Sequence, residues 1–482
     1  MCRDRFAANN KIICMKRIYL ILMLFSTISI STRANNILVT NANISGQNTT
    51  SHFSLINFDV AWENSWRTST NESNYDGAWI FVKYRKNGTT DWRHCTIAAT
   101  GNTPATGASF FIPSDNKGAF IYRSADGIGS VNYTGNKLQW NYGADGLLDN
   151  ETVEIRVFAV EMVYIPQGSF QLGSGGTEMY NFRNGTAQAP YLVASNAAIN
   201  MGTTAGTLNP NGAGTATGTL PVAFPKGFNA FWIMKYEVSQ QQYADFLNHI
   251  DAARATVNAA HLGEINGTHP NLVAQQPERA IISLNTARLA AHADWSGLRP
   301  MTELEFEKAS RGYNTPAVPN EFVWGNTQVF PLQTVNDENL ATESVNSPVT
   351  ANANVNSQLG RAARTGIFAR STGSTRALSG ATYYGVMNMG DNANEICIGV
   401  HTAPGRAYTE SVHGDGYLAT AGTSDITTWT DFNAYGWRGG AFNSSTNVGR
   451  TSDRESIITY SSLYYQDAVT SAAGGRLVRT AL

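Results

Sequence analysis

The sequence predicts an α+β protein, rich in loops, that opens with a small all-β sandwich. Three observations predict it. Charged residues make up only 15% of the 482-residue chain and hydrophobic ones 42%, so a sizeable core must sit beneath a surface that is polar without being charged. Asn, Thr, Ser and 44 Gly fill that surface, a composition that suits strands and loops better than helical bundles. Aromatic and β-branched runs dominate residues 37–160, and helical spacing follows only later, in three brief stretches.

The first 34 residues read as a targeting segment with a possible upstream extension, residues 1–14. Met15-Lys16-Arg17 is a basic head, Ile18 to Phe25 is continuously apolar, and Thr32-Arg33-Ala34 places small residues at a cleavage site. The run is too short for a stable membrane span, and no cysteine follows it to accept a lipid. The expected mature protein is secreted or periplasmic, beginning near Asn35. Cleavage removes six basic residues and one acid, which leaves 28 basic and 35 acidic residues and a net charge of −7. A mildly acidic chain without a basic run is a poor partner for nucleic acid or anionic membrane. Two cysteines remain, Cys95 and Cys397, too few for a disulfide framework.

Residues 35–160 form the expected sandwich domain. Phe58 to Trp62, Ala78 to Tyr84, Leu138 to Trp140 and Val153 to Val160 read as strands, and Asn87-Gly88 is a hairpin signal. Trp62, Trp66, Trp79 and Trp92 suit core packing better than a binding face. Residues 161–482 form the second domain. Met162 to Ser174 reads as strand, turn, strand, and residues 196–219, almost all Ala, Gly, Thr and Asn, read as a flexible insertion. Phe231 to Val238 is a strand, and Ser239 caps a helix to about His249. A second helix covers about Leu284 to Trp295. Thr302 and Glu305 form a capping box that opens a third. After Gly312 the chain reads as mostly irregular to its end.

Seven motifs in order carry a resemblance. They are Met162 to Phe170, Glu237 to Phe246, Leu298 to Ala309, Val323-Trp324-Gly325-Asn326, Tyr384 to Glu395, Trp437-Arg438-Gly439-Gly440 and Gly475-Arg476-Leu477-Val478-Arg479. Together they resemble the formylglycine-generating enzyme (sulfatase-modifying factor) family, whose fold is a variant of the C-type lectin fold. Active members oxidise a substrate cysteine with two cysteines and a copper ion, because soft thiolates hold Cu(I). The resemblance places those two positions at Ser444 and Gly449, neither of which can supply a thiolate, so copper is not expected; iron is not expected either, because none of the eight histidines stands in an H-x-x-x-H or H-x-H pair. It further implies a calcium site, with the side chains of Asn388 and Glu395 and the backbone carbonyls of Asp391 and Ala393 as an all-oxygen set suited to a hard cation. The alternative for that stretch is a hydrogen-bonded Asn-rich loop.

Two function classes follow. The first is a secreted, non-catalytic binding or structural protein that recognises a protein, peptide or glycan through its C-terminal face, as relatives in some bacteria do. The candidate face is Phe442, Asn443, Arg450, Arg454, Tyr460, Tyr464 and Tyr465, where Tyr supplies rigid contact area and Asn hydrogen bonds. For Arg450 and Arg454, internal pairing with carboxylates is the competing and favoured reading. The second class is a cysteine-independent, metal-dependent enzyme of the same superfamily. His413-Gly414-Asp415 is the nearest approach to a metal-like cluster, against the plainer reading of a solvated loop.

Overall fold

Strict alternation shapes the first strands. In β2 (Phe53–Arg67), Ile56, Phe58, Val60 and Trp62 point inward and the residues between them face outward. β2 lies between β1 (Leu38–Asn48) and β7 (Gly127–Trp140), antiparallel to both. β3 (Asp76–Lys86) is different, since Asp76 to Tyr84 are buried without interruption. Its two faces feed two cores. Ala78, Ile80, Val82 and Tyr84 pack with the inward residues of β2, while Trp79 and Phe81 join the large core that also holds the helices. A strand covered on both sides needs an unbroken apolar run. The computed structural model describes residues 37–212, 217–260, 262–313, 315–370, 374–429, 431–459 and 472–481. The expected targeting segment lies outside them.

The principal sheet has eight strands. β8 (Val153–Ile165) pairs with β3 along most of its length and, through Met162 to Ile165, with the strand Phe231–Met234. β8 therefore runs unbroken through residue 160, where the sequence changes texture, and one sheet serves both sides of that point. Beyond β3 come β6 (Ala119–Arg123) and β5 (Ala108–Phe111), with β4 (Arg93–His94) folded back on β3 across the expected Asn87-Gly88 turn. The far edge is built by Leu477–Thr480 and Arg299–Pro300. Trp62 and Trp79 are buried, and Trp66 and Trp92 partly so.

The capping signals mark the helices. α1 (Gln240–Asn248) starts at Ser239, whose hydroxyl accepts from the Gln242 N–H while the Gln242 side chain accepts from the Ser239 N–H. α2 (Ala252–Ala259), capped by Asp251, is a further short helix beyond the three expected. α3 (Thr286–Trp295) starts two residues later than expected, at the Asn285 cap. α4 (Glu303–Arg311) carries the expected Thr302–Glu305 box. The expected flexible insertion at 196–219 needs correction. It contains the strands Ile199–Met201, Leu208–Asn209 and Gly218–Leu220, joined with Arg183–Asn184 in a small sheet. Its large side chains Ile199, Met201 and Leu208, with Leu220 just beyond it, enter the main core, which outweighs the bias of the Gly and Thr around them. No described helix is long and apolar enough to cross a membrane.

The capping box of α1 yields a test. Ser239→Ala removes one reciprocal pair of cap bonds and is expected to cost about 1 kcal/mol in urea unfolding, while the exposed Gln241→Ala changes stability far less.

Candidate functional site

Helix α4 is charged and yet buried at all nine positions. Spacing of four residues puts Glu303, Glu307 and Arg311 in one row along it. Glu303 Oε2 accepts from Arg438 Nη1 at 3.1 Å and Arg454 Nε at 2.7 Å, and its Oε1 accepts from Arg454 Nη2 at 3.0 Å. Glu307 takes Arg438 Nη2 at 2.9 Å and Arg311 Nη1 at 3.1 Å. Arg311 Nε reaches Glu321 at 2.6 Å. Three arginines thus balance three glutamates in the interior. Burial alone would raise the Glu303 carboxyl, but Arg454 and then Arg438 hold it down to about 2. Arg454 is therefore structural. It is fully buried and stacks over Phe182, in line with the favoured reading of internal pairing, and so does not belong on the candidate face.

Beside this network the chain closes on itself through glycines. A Cβ on Gly449 would lie 2.5 Å from the Gly390 carbonyl oxygen, and one on Gly390 would lie 2.7 Å from that of Gly449. Gly440 approaches both, and Gly439 sits at φ +72 against the Met389 carbonyl. Backbone thus meets backbone, and position 449 has no room for any side chain. Ser444 Oγ accepts from the Ala441 N–H at 3.0 Å, closing a local turn. The two described cysteines, Cys95 and Cys397, are unpaired and buried, and burial pushes both thiols well above their ordinary range. On the candidate face, Phe442 is buried, Asn443 exposed and Arg450 half-buried, the last donating to Asn320 Oδ1 at 3.4 Å. Tyr460, Tyr464 and Tyr465 lie outside the described residues.

The four expected calcium ligands lie along the segment 388–395, a turn with Asn388 and Asn392 both in left-handed conformations that leads into the strand Asn394–Ile398 holding Glu395. Asn388 Oδ1 accepts from the Gly366 N–H at 2.8 Å, and its Nδ2 donates to the Asp391 carboxylate. The Asp391 carbonyl accepts from the Ala393 N–H at 3.0 Å. Glu395 Oε1 takes Arg476 Nη2 at 2.5 Å, while its buried Oε2 has no partner. Glu237, whose role sequence reasoning missed although it opens the first helix motif, accepts from Asn392 Nδ2 at 2.6 Å and from the Ala393 N–H at 2.9 Å. Burial raises the carboxyls of Asp391 to about 6 and Glu395 to about 7, and that of Glu237 well above its usual range. Arg476 bonds to one of these three carboxylates and is the cation that lowers all of them. An unpartnered carboxylate oxygen, an amide oxygen and backbone carbonyls in an acid-rich interior fit a hard cation by charge and donor type.

A second acidic group brings Asp294, Asp415 and Asp425 together, with one oxygen of each within 4.8 Å of the others. Asp294 spends its oxygens on the Asp415 N–H, the Asp425 N–H and the Ser424 hydroxyl, so it pins the 414–425 loop to α3. The solvated-loop reading of His413 to Asp415 is corrected accordingly, since His413 Nε2 also accepts from the Thr480 N–H at 3.0 Å.

Comparison with known families adds one finding. The model of the sulfatase-modifying factor enzyme 1-like domain matches residues 151–462. No curated protein matches the chain.

The arginine network predicts an acid-side signature. Glu303 has a depressed folded-state pKa, so its stabilisation is fully present above its unfolded value of 4.5 and is lost as pH falls through about 2. Arg454→Met should cost about 3–5 kcal/mol at neutral pH by stranding part of a buried charge. In urea unfolding across pH, its gap from the unmodified protein should narrow steadily below pH 4.5.

Proposed function

The chain belongs to the sulfatase-modifying factor enzyme 1-like family, and on that premise we propose that it is a secreted, non-catalytic binding protein. The observation that carries this reading is the glycine seam. The position where the resemblance puts one copper-binding cysteine, Gly449, has no room for a Cβ, which would lie 2.5 Å from the Gly390 carbonyl oxygen, and admits no thiol. The other, Ser444, uses its hydroxyl to close a backbone turn. The described cysteines are buried with raised thiol pKa values, the opposite of a metal-ready thiolate.

In this reading the domain is a C-type-lectin-like scaffold preceded by a β-sandwich, with its outer loops free for recognition. Asn443, Ser445 and Asn447 are exposed on one loop, and Arg450 stands beside it with its Nε lacking a partner. Such a polar loop on a rigid base suits a peptide, protein or glycan. Calcium has a structural part here. Asn388 and Glu395 would hold it with the carbonyls of Asp391 and Ala393, and the ion would offset the surplus of buried carboxylates.

Four measurements test the proposal. Purified full-length protein should generate no aldehyde from a cysteine-containing peptide supplied with copper, and metal analysis should find no stoichiometric copper or iron. Either product would overturn the reading. Peptide and glycan arrays should return specific binders, with Asn443→Ala or Arg450→Ala weakening them roughly tenfold at unchanged Tm. For calcium, chelation should lower Tm and added calcium restore it, and Glu395→Gln should abolish that response.

A further inference from the structure

Three neighbouring segments of the principal sheet put an amine beside two acids. Asp76 opens β3, Glu161 lies in β8 opposite Ala78, and Lys235 follows the strand Phe231–Met234, its N–H bonded to the Glu161 carbonyl. Lys235 Nζ stands 3.0 Å from Asp76 Oδ2 and 3.0 Å from Glu161 Oε2. All three side chains are at most 3% exposed. The ammonium lies 5.0 Å from the Trp66 ring centroid and 5.5 Å from that of Tyr236, so aromatic walls keep water away. The charges do not balance, with two carboxyls facing one ammonium, and burial raises the Glu161 carboxyl to about 7. Glu161 Oε1 is buried without a partner.

The donors around Asp76 are sorted by oxygen. Oδ1 accepts from Ser65 Oγ at 2.8 Å and from the Trp66 N–H at 3.0 Å. Oδ2 faces the Lys235 amine and the Trp62 Nε1–H, the latter at 3.0 Å. Two fixed donors on one oxygen are what a tetrahedral oxyanion needs, and the other oxygen is left on the side of the proton source.

We propose that Lys235 Nζ and Asp76 Cγ become joined by an amide, with Glu161 moving the protons. A proton passes from the ammonium to the Asp76 carboxylate, and the freed lone pair attacks Cγ. Oδ1 carries the developing negative charge between Ser65 and Trp66. Glu161 takes a second proton from the nitrogen and delivers its own to the Oδ2 hydroxyl, which departs as water. One hydrogen stays on the amide nitrogen, Glu161 is restored, and no oxidant or further reactant is consumed. Contact at 3.0 Å in a dry pocket supplies the high effective concentration that free acid and amine lack. The bond would tie together residues 159 apart in sequence.

Mass spectrometry of the folded full-length chain tests this. The expected result is a crosslinked peptide pair containing Asp76 and Lys235, lighter by one water than the two separate peptides. Glu161→Gln and Asp76→Ala should each return the unlinked mass, and Tm should fall with the link. Because either variant could fail to fold, the unmodified protein decides the matter. If digestion of folded protein yields only separate, unlinked Asp76 and Lys235 peptides, the proposal is overturned. A link that persists in a folded Glu161→Gln variant overturns the role given to Glu161.

Discussion

The Arg–Glu network on α4 is the constraint around which the C-terminal half is arranged. Buried ions are costly to desolvate, and they are tolerated only where each finds its counterpart in good geometry. Here the counterparts come from far along the chain. Glu303 and Glu307 sit on the helix, Arg438 on the strand Tyr435–Arg438, Arg454 in the loop beyond it, and Glu321 after the helix. No partner can shift without stranding another. The segment 435–454 is therefore held against α4, although only four of its residues form a strand.

That fixed approach explains the glycine seam. With Arg438 anchored on Glu303 and Glu307, the chain immediately after it must pass close to Gly390. Gly439, Gly440 and Gly449 permit an approach that any Cβ would prevent. The same segment of chain that turns past Gly390 continues into the half-exposed loop of Asn443 and Arg450. Rigidity beneath and polarity above thus arise from consecutive residues.

The N-terminal strands are tied into the same body by both packing and charge. β3 shares its two faces between two cores. Arg479, near the end of the chain, stacks on Trp79 and pairs with Asp115, and Lys235 sits between Asp76 and Glu161. Apolar cover without polar anchors would leave these contacts free to slide, whereas charge-assisted bonds fix register.

Much of the fold was legible. Strand alternation, the Asn87-Gly88 turn and the boxes at Ser239 and Thr302 are local signals, and local physics reads them directly. The chain itself also settled that Ser444 and Gly449 cannot bind soft metals, since that depends on side-chain chemistry alone. What it could not settle was which charged residues would turn inward. Internal pairing is the favoured reading for Arg450 and Arg454 alike, yet Arg454 is sealed against Glu303 while Arg450 is half-buried beside Asn320. The role of Glu237 and the meeting of Asp76, Glu161 and Lys235 were equally hidden. Local pattern fixes each residue's own conformation, but a buried charge is stable only beside a partner, and the partner's position is a property of the assembled tertiary structure.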